Sequence, residues 1–302
     1  MQQPVAAIDC GTNTARLLIG YVKANNIEPI LVKRYITRLG GGFTRQEGIS
    51  RAAKERSLTA LIDFADEIKN HGVSRVRGVA TSAVRDAPNG KSFCDEIFMN
   101  TGIQLQIIDS HEEGLLTLQG VIAGMDNSSG NLLVFDIGGG STEYMLTLNG
   151  IPEFIDSIPL GVVRLTEGKQ SLEAMKDKIV REIDALKTKL ELKDLLHYVK
   201  DVTLVGTAGT ATTLAAISMK MTDYDYRKVN NYELPLAEIM DIYETLHTLT
   251  PEERLNIPGL ERGREDLILA GILVTIETMT MFGFSHLKVS DFGLLEGVLL
   301  SI

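Results

Sequence analysis

The sequence contains few cysteines, fewer basic than acidic residues, and no long apolar run. Cys10 and Cys94 are the only cysteines among 302 residues, which excludes a disulfide framework and the ligand spacing of a zinc site. Lys and Arg total 30 against 40 Asp and Glu, and the resulting net charge of −10 argues against a nucleic-acid binder with a broad basic face. The apolar run 267–274 is far shorter than the roughly 20 residues of a membrane span.

The remaining composition is typical of a globular chain. Hydrophobic residues make up 44% and charged residues 23%, so a core can form. No basic segment followed by an apolar stretch occurs at the N-terminus, so no secretory signal is predicted. We therefore expect a cytoplasmic protein whose two cysteines are reduced and which has no membrane or nucleic-acid partner. The length favours two domains over one.

Apolar runs bounded by Gly, Asn and Asp alternate with segments of helical periodicity, a pattern typical of an α/β protein. Apolar runs predict strands at 5–8, 17–22, 76–80, 105–108, 132–135, 144–148 and 202–205. Helical spacing predicts helices that include 58–68, 172–190 and 210–218, the first of them ending at Gly72.

An internal repeat is the most informative feature. Residues 7–17 and 134–144 share one design, in which a buried strand ends in Asp and continues through a Gly/Ser/Thr turn into a second strand. The two copies are offset by 127 residues. The repeat predicts two similarly built domains, 1–125 and 126–302, facing each other across a central cleft. The small, turn-rich stretch 124–130 predicts the boundary.

The turns after these strands have the composition of a phosphate site. Glycines allow backbone N–H groups to approach an anion closely, and the hydroxyls add donors. Asp9 or Asp136 could hold a divalent cation. Each motif alone is also compatible with a tight hairpin whose Asp accepts local hydrogen bonds, but two matching copies favour the functional interpretation. No Walker loop occurs in the sequence.

Three further segments have both a structural and a chemical interpretation. Ser110 and Glu113 fit a capping box at a helix start, a position from which Glu113 could also act as a general base. Arg85 follows a strand end, where open α/β sheets bind ligands, or it pairs with an acidic neighbour such as Asp86. The small-residue turn 205–213 suits either a phosphate or close helix-on-strand packing.

Taken in order, the motifs at 8–17, 80–85, 112–113, 135–143, 159–167 and 206–210 resemble those of the exopolyphosphatase and guanosine pentaphosphate phosphohydrolase family. The resemblance continues through Gly271 and 293–297. More broadly, the duplicated Asp-Gly hairpins look like those of the actin, sugar-kinase and chaperone-ATPase superfamily. The resemblance implies two ribonuclease H-like domains, Mg²⁺-dependent hydrolysis of a terminal phosphoanhydride, with Mn²⁺ as an alternative ion, and a homodimer.

The resemblance also implies roles for individual residues. Glu113, Asp136 and Arg85 would be catalytic, with Glu113 activating water, and Asp9, Asp136 and Glu143 would hold the metal. The phosphate-binding set would be Gly11, Thr12, Asn13, Thr14, Arg16, Gly138, Gly139, Gly140, Ser141, Thr142, Gly206, Thr207, Gly209 and Thr210. In an acidic chain the positive groups Arg16, Arg85, Arg164 and Arg264 should gather around one cleft.

Several functions remain open from the sequence. The first is hydrolysis of the terminal phosphate of inorganic polyphosphate, and the second is 5′-phosphate hydrolysis of guanosine pentaphosphate. A kinase or ATPase of the same superfamily would need an adenosine pocket and an acceptor. A non-catalytic sensor of guanosine tetraphosphate would not need the intact set Asp9, Glu113, Asp136 and Glu143.

Overall fold

The computed structural model describes residues 3–24, 26–126, 130–168 and 171–302. The chain divides into two compact units: unit 1 comprises Met1–Ala123 and Gly293–Ile302, and unit 2 comprises Gly124–Phe292. Across the described ranges, no helix combines the length and the apolar character needed to cross a membrane.

Unit 1 is built on a five-stranded mixed sheet. Its elements are β1 (Val5–Cys10), β2 (Thr14–Lys23), β3 (Asn26–Ile36), α1 (Arg51–Asn70), β4 (Arg75–Ala80), α2 (Ser82–Arg85), α3 (Gly90–Thr101), β5 (Leu105–Ile107) and α4 (Ser110–Gly124). The strand order is β3-β2-β1-β4-β5. The first three strands form an antiparallel meander, and β1, β4 and β5 run parallel. The parallel strands therefore end at one edge of the sheet.

Unit 2 repeats this design with additions. Its elements are β6 (Leu132–Ile137), β7 (Thr142–Leu148), β8 (Ile151–Ile158), α5 (Val162–Gly168), α6 (Leu172–Leu192), a 3-10 helix (Leu196–Asp201), β9 (Thr203–Thr207), α7 (Ala208–Ser218), α8 (Tyr226–Val229), β10 (Glu233–Pro235), α9 (Leu236–His247), α10 (Pro251–Arg254), α11 (Ile268–Phe282) and β11 (His286–Val289). The chain then returns to unit 1 as α12 (Leu294–Leu300). The order β8-β7-β6-β9-β11 repeats that of unit 1, and β10 is an added edge strand. The predicted α/β class and duplication are confirmed.

The burial of strand β1 explains why the predicted run 5–8 is continuously apolar and does not alternate between apolar and polar residues. All six of its residues are buried, because the sheet of unit 1 is covered on both faces. Ile8 packs on the side that holds Phe64 and Phe93, whereas Ala7 packs on the side that holds Leu299. Successive side chains point to opposite faces of a strand, so both faces here must be apolar.

The third strand of each meander was not predicted. Both β3 and β8 are edge strands, and both begin with mostly exposed residues. Pairing is irregular near Pro29 in β3 and near Pro152 in β8, where the register shifts. An edge strand interrupted in this way has neither the continuous apolar run nor the strict alternation that identifies a strand.

The division into units differs from the predicted domains at the C-terminal end. We expected residues 126–302 to form one domain, but the last ten residues pack with unit 1. There α12 buries Leu294, Leu295, Val298 and Leu299 in a core shared with β1. The chain passes from unit 1 to unit 2 between Ala123 and Gly124. Residues 127–129 of the predicted boundary stretch lie outside the described residues.

Candidate active site

The first predicted phosphate turn joins β1 to β2 in unit 1. The N–H of Gly11 donates to the carbonyl of Thr14 over 2.9 Å, which closes the turn. Thr12 and Asn13 are buried at its tip. Their carbonyl oxygens accept hydrogen bonds from the N–H groups of Gly40 and Arg38. The carbonyl oxygens of Thr12 and Asn13, which would repel a bound anion, therefore point towards the segment that follows β3.

A cross-strand ion pair stands at the base of this turn. Asp9 and Arg16 are directly opposed on β1 and β2. The Nε and Nη2 atoms of Arg16 lie 3.1 and 2.9 Å from Oδ2 of Asp9. The carboxylate is buried, and its Oδ1 has no hydrogen-bond partner among the residues described. One predicted metal ligand is therefore already engaged by a guanidinium.

The ends of the three parallel strands bring further predicted residues towards this turn. The N–H of Thr81 donates to the carbonyl of Cys10, and the N–H of Ile108 donates to that of Ala80. The hydroxyls of Thr12 and Ser82 lie 3.4 Å apart. The loop after β1, helix α2 and the start of α4 consequently line one edge of the unit 1 sheet, the position at which open α/β sheets bind ligands.

Arg85 and Glu113 meet at this edge. Nη1 of Arg85 donates to the Glu113 carboxylate over 2.9 Å and to the carbonyl of Ile108 over 3.0 Å. The Glu113 side chain is only 11% exposed. Arg85 also approaches Asp86, its expected neighbour, but at the longer distance of 3.9 Å. Arg85 is held by the Ile108 carbonyl as well, so the guanidinium fixes the orientation of the Glu113 carboxylate.

The predicted capping box at the start of α4 is wrong. Asp109 caps the helix, since its Oδ1 accepts the N–H of Glu112 over 2.8 Å and its carbonyl accepts the N–H of Glu113. Glu112 pairs with Arg77 instead, and Glu113 points to Arg85. Because Asp109 caps the helix, the Glu113 side chain takes no part in the cap.

Asp109 should make stability depend on pH in the acid range. Its pKa lies below the ordinary 3.8, chiefly because the carboxylate accepts the backbone N–H of Glu112. A lowered folded pKa means that the ionised cap stabilises the protein above the unfolded pKa, and that this contribution is lost as pH falls through the folded pKa. We expect Asp109→Asn to reduce the fall in thermal midpoint below about pH 4. Ser110→Ala is the control, and an unchanged acid profile in Asp109→Asn would contradict the assignment.

The second predicted turn joins β6 to β7 in unit 2 and has the same closing bond, from the Gly138 N–H to the Ser141 carbonyl over 3.0 Å. Asp136 and Glu143 are directly opposed on the two strands. Oε1 of buried Glu143 accepts the hydroxyls of Ser141 and Ser157, each over 2.7 Å. Ser157 was not predicted, because it lies on the unrecognised strand β8.

The glycines of this turn support helix α5. The N–H groups of Val162 and Val163 donate to the carbonyls of Gly138 and Gly139 over 3.0 Å. A Cβ at Gly161 would lie 2.2 Å from the carbonyl carbon of Gly140, so only glycine allows this approach. As in unit 1, carbonyls of the turn accept hydrogen bonds from the segment that follows the third strand of the meander, here β8.

Some predicted phosphate-binding hydroxyls have structural roles. The hydroxyl of Thr142 donates to the carbonyl of Leu160 over 2.7 Å, and that of Thr207 donates to the carbonyl of Phe292 over 2.9 Å. Thr210 is buried, and a Cβ at Gly271 would collide with its side chain. Thr142 and Thr207 therefore hold their loops in place through their hydroxyls, whereas Thr210 packs closely against Gly271.

The turn after β9 lies beside Asp136, because Asp136 pairs with Thr207 across the parallel strands. A Cβ at Gly209 would stand 1.7 Å from Nη1 of Arg264, so the guanidinium lies directly against the backbone of this loop. Arg164 lies at the glycine turn, where its N–H contacts the carbonyl of Gly139. Within its own unit, each of the four predicted arginines lies beside a predicted site loop.

Ala208, at the start of α7, has a φ of 62°. This left-handed conformation is strained for a residue with a Cβ. We expect Ala208→Gly to stabilise the protein by about 0.5–1 kcal/mol, since glycine adopts positive φ without this strain. Urea unfolding measures the change. Ala211→Gly, at a buried position of the same helix, is the control and should destabilise the protein by about 1 kcal/mol. Destabilisation by Ala208→Gly would contradict the strain.

The carboxylates of the two hairpins do not suit a metal equally. Among the residues described, no group of three or more His, Cys, Asp or Glu side chains is placed to hold a metal ion. The opposed Asp136 and Glu143 provide an all-oxygen pair, which suits Mg²⁺ because this ion takes one or two carboxylates and completes its shell with water and phosphate. Asp9 faces a guanidinium and fits less well.

Comparison with known proteins identifies the family of the chain. The model of the Ppx/GppA phosphatase family matches residues 18–302. Exopolyphosphatase 2 of Mycobacterium tuberculosis is 34% identical, covering 99% of this chain and 98% of its own. The PPX-GPPA enzyme of Aquifex aeolicus superposes with a TM-score of 0.80 at 31% identity over 100% of both chains. An exopolyphosphatase from Cytophaga hutchinsonii gives 0.89 at 26% identity, covering 99% of this chain and 97% of its own. The chain therefore belongs to the Ppx/GppA phosphatase family.

Proposed function

We propose that the chain is an exopolyphosphatase, a phosphoanhydride hydrolase that removes the terminal phosphate of inorganic polyphosphate. Family membership and the full-length similarity to Exopolyphosphatase 2 support the reaction class. The observation that carries the proposal is the Glu113 carboxylate, held 2.9 Å from Arg85 at the strand-end edge of unit 1. This edge also carries the glycine turn that follows Asp9.

In this proposal Glu113 accepts a proton from the attacking water, and Arg85 orients the carboxylate through their hydrogen bond. Backbone N–H groups of the Gly11 turn bind phosphate oxygens, as glycine turns do for anions. Phosphoryl transfer depends mainly on positioning and charge stabilisation, so fixed donors and one oriented base are sufficient machinery. No dedicated acid is needed, because the leaving polyphosphate is a stable anion.

Mg²⁺, or Mn²⁺ in its place, belongs to the proposal as cofactor. Asp136 and Glu143 are the residues that would hold it, and Ser141 and Ser157 would orient Glu143 through its Oε1. When bound, the ion neutralises charge on the phosphate oxygens. We also propose that the protein is cytoplasmic. We further propose that it forms a homodimer, and light scattering of the purified chain tests this by measuring the mass of the particle.

Guanosine pentaphosphate is the second candidate substrate, because the family includes both activities. Phosphate release with Mg²⁺ should be measured on polyphosphates of several lengths and on guanosine pentaphosphate. Higher kcat/KM on polyphosphate supports the proposal, and higher kcat/KM on the nucleotide assigns the chain to the second activity. Nucleotide binding without any phosphate release would instead identify a sensor.

A further inference from the structure

The two hairpins share one backbone plan but differ in charge at one matched position. Asp9 and Asp136 stand 127 residues apart, and the same offset relates Arg16 to Glu143. In unit 1 the residue opposite the Asp is a cation, whereas in unit 2 it is a second carboxylate. Equivalent positions in a duplicated fold therefore have opposite electrostatic character.

In unit 1 the Asp carboxylate is engaged by the arginine. Nε and Nη2 of Arg16 both contact Oδ2 of Asp9, and the Arg16 side chain is still 23% exposed. Such a two-point contact fixes the plane of a guanidinium, which otherwise samples many rotamers. The buried Asp therefore orients a cation that ligands can reach.

Oδ1 of Asp9 has no hydrogen-bond partner in the part of the chain that the structure describes, and this is the feature that would favour a metal ion there. However, an ion on Oδ1 would stand only a few ångströms from the guanidinium on the other oxygen, where like charges repel strongly at low dielectric. The unit 2 hairpin has no such cation at the matched position. Its Glu143 carboxylate is oriented by two serine hydroxyls.

We infer that Asp9 is a positioning residue for Arg16 and not a metal ligand. The unit 1 hairpin then binds phosphate, and the metal is held by the unit 2 hairpin alone. This inference rests on the proposed function, and it replaces the expectation that Asp9 shares the metal with Asp136 and Glu143.

The test measures the affinity of the full chain for two ligands separately by calorimetry. The first is tripolyphosphate in EDTA, where no metal-dependent turnover occurs, and the second is Mn²⁺ without phosphate. Arg16→Gln should weaken tripolyphosphate about tenfold or more, through loss of charge-assisted hydrogen bonds, and leave Mn²⁺ affinity unchanged. Glu143→Gln should weaken Mn²⁺ about 10- to 100-fold and leave tripolyphosphate unchanged.

Asp9→Asn should behave like Arg16→Gln, and the double variant should be no worse than Arg16→Gln alone, because Asp9 acts only through Arg16. Arg16→Lys should not restore binding, since an ammonium cannot reproduce the two-point contact. Arg51→Gln removes an exposed arginine paired with Glu55 in the same unit and is the control.

If Asp9→Asn weakens Mn²⁺ as much as Glu143→Gln does, the inference is wrong. If Asp9→Asn does not fold, the tripolyphosphate and Mn²⁺ affinities of Arg16→Gln and Glu143→Gln still test the inference. A loss of Mn²⁺ binding in Arg16→Gln would overturn it. Failure of the proposed function would look different: the wild-type chain would bind tripolyphosphate and Mn²⁺ in this pattern but release no phosphate from polyphosphate.

Discussion

Replacing Glu113 by glutamine is expected to lower turnover on polyphosphate by about 10²- to 10⁴-fold, the usual contribution of a general base. Glutamine retains an oxygen that can accept the hydrogen bond from Arg85, so the local structure should persist. It cannot take a proton from water. Loss of kcat with little change in KM and in thermal midpoint is therefore the expected result, measured by phosphate release and by circular dichroism.

Glu112→Gln is the matched control, because Glu112 is adjacent on α4 but pairs with Arg77. It should leave turnover within a fewfold of wild type. Turnover of Glu113→Gln close to that of wild type would remove Glu113 from the role of base. A large loss in Glu112→Gln as well would point to damage of the helix start.

Replacing Gly297 by alanine is expected to destabilise unit 1 by about 3 kcal/mol, near the upper end of the usual cost of overpacking. A Cβ at Gly297 would lie 1.8 Å from the carbonyl oxygen of Leu116 on α4. A Cβ at Gly120 would lie 1.9 Å from the carbonyl of Gly293, so α4 and α12 touch backbone to backbone. Neither backbone can move without disturbing the core they share with β1.

Urea unfolding and amide exchange over α12 measure this effect. Both a lower midpoint and faster exchange in α12 are expected for Gly297→Ala and for Gly120→Ala. Gly168→Ala is the control, since a Cβ there meets nothing within 4 Å. A Gly297→Ala protein as stable as this control would show that the two helices separate at little cost.

Strands with a continuous apolar run could be read directly from the sequence, because burial on both faces of a sheet demands it. The prediction at 5–8 corresponds to β1, and that at 132–135 to β6. The edge strands β3 and β8 could not be read in this way, because exposure and a register shift remove the signal. Ser157 was missed with β8, although its hydroxyl orients Glu143.

The sequence by itself determined the duplication, the composition of both turns and the family, because these are properties of neighbouring residues and their order. Tertiary structure decided which charges meet. Arg85 reaches Glu113 across 28 residues, and α12 returns to unit 1 after the whole of unit 2. It also decided that Asp9 faces a guanidinium while Asp136 faces a carboxylate, because strand register sets cross-strand partners and residue spacing alone does not.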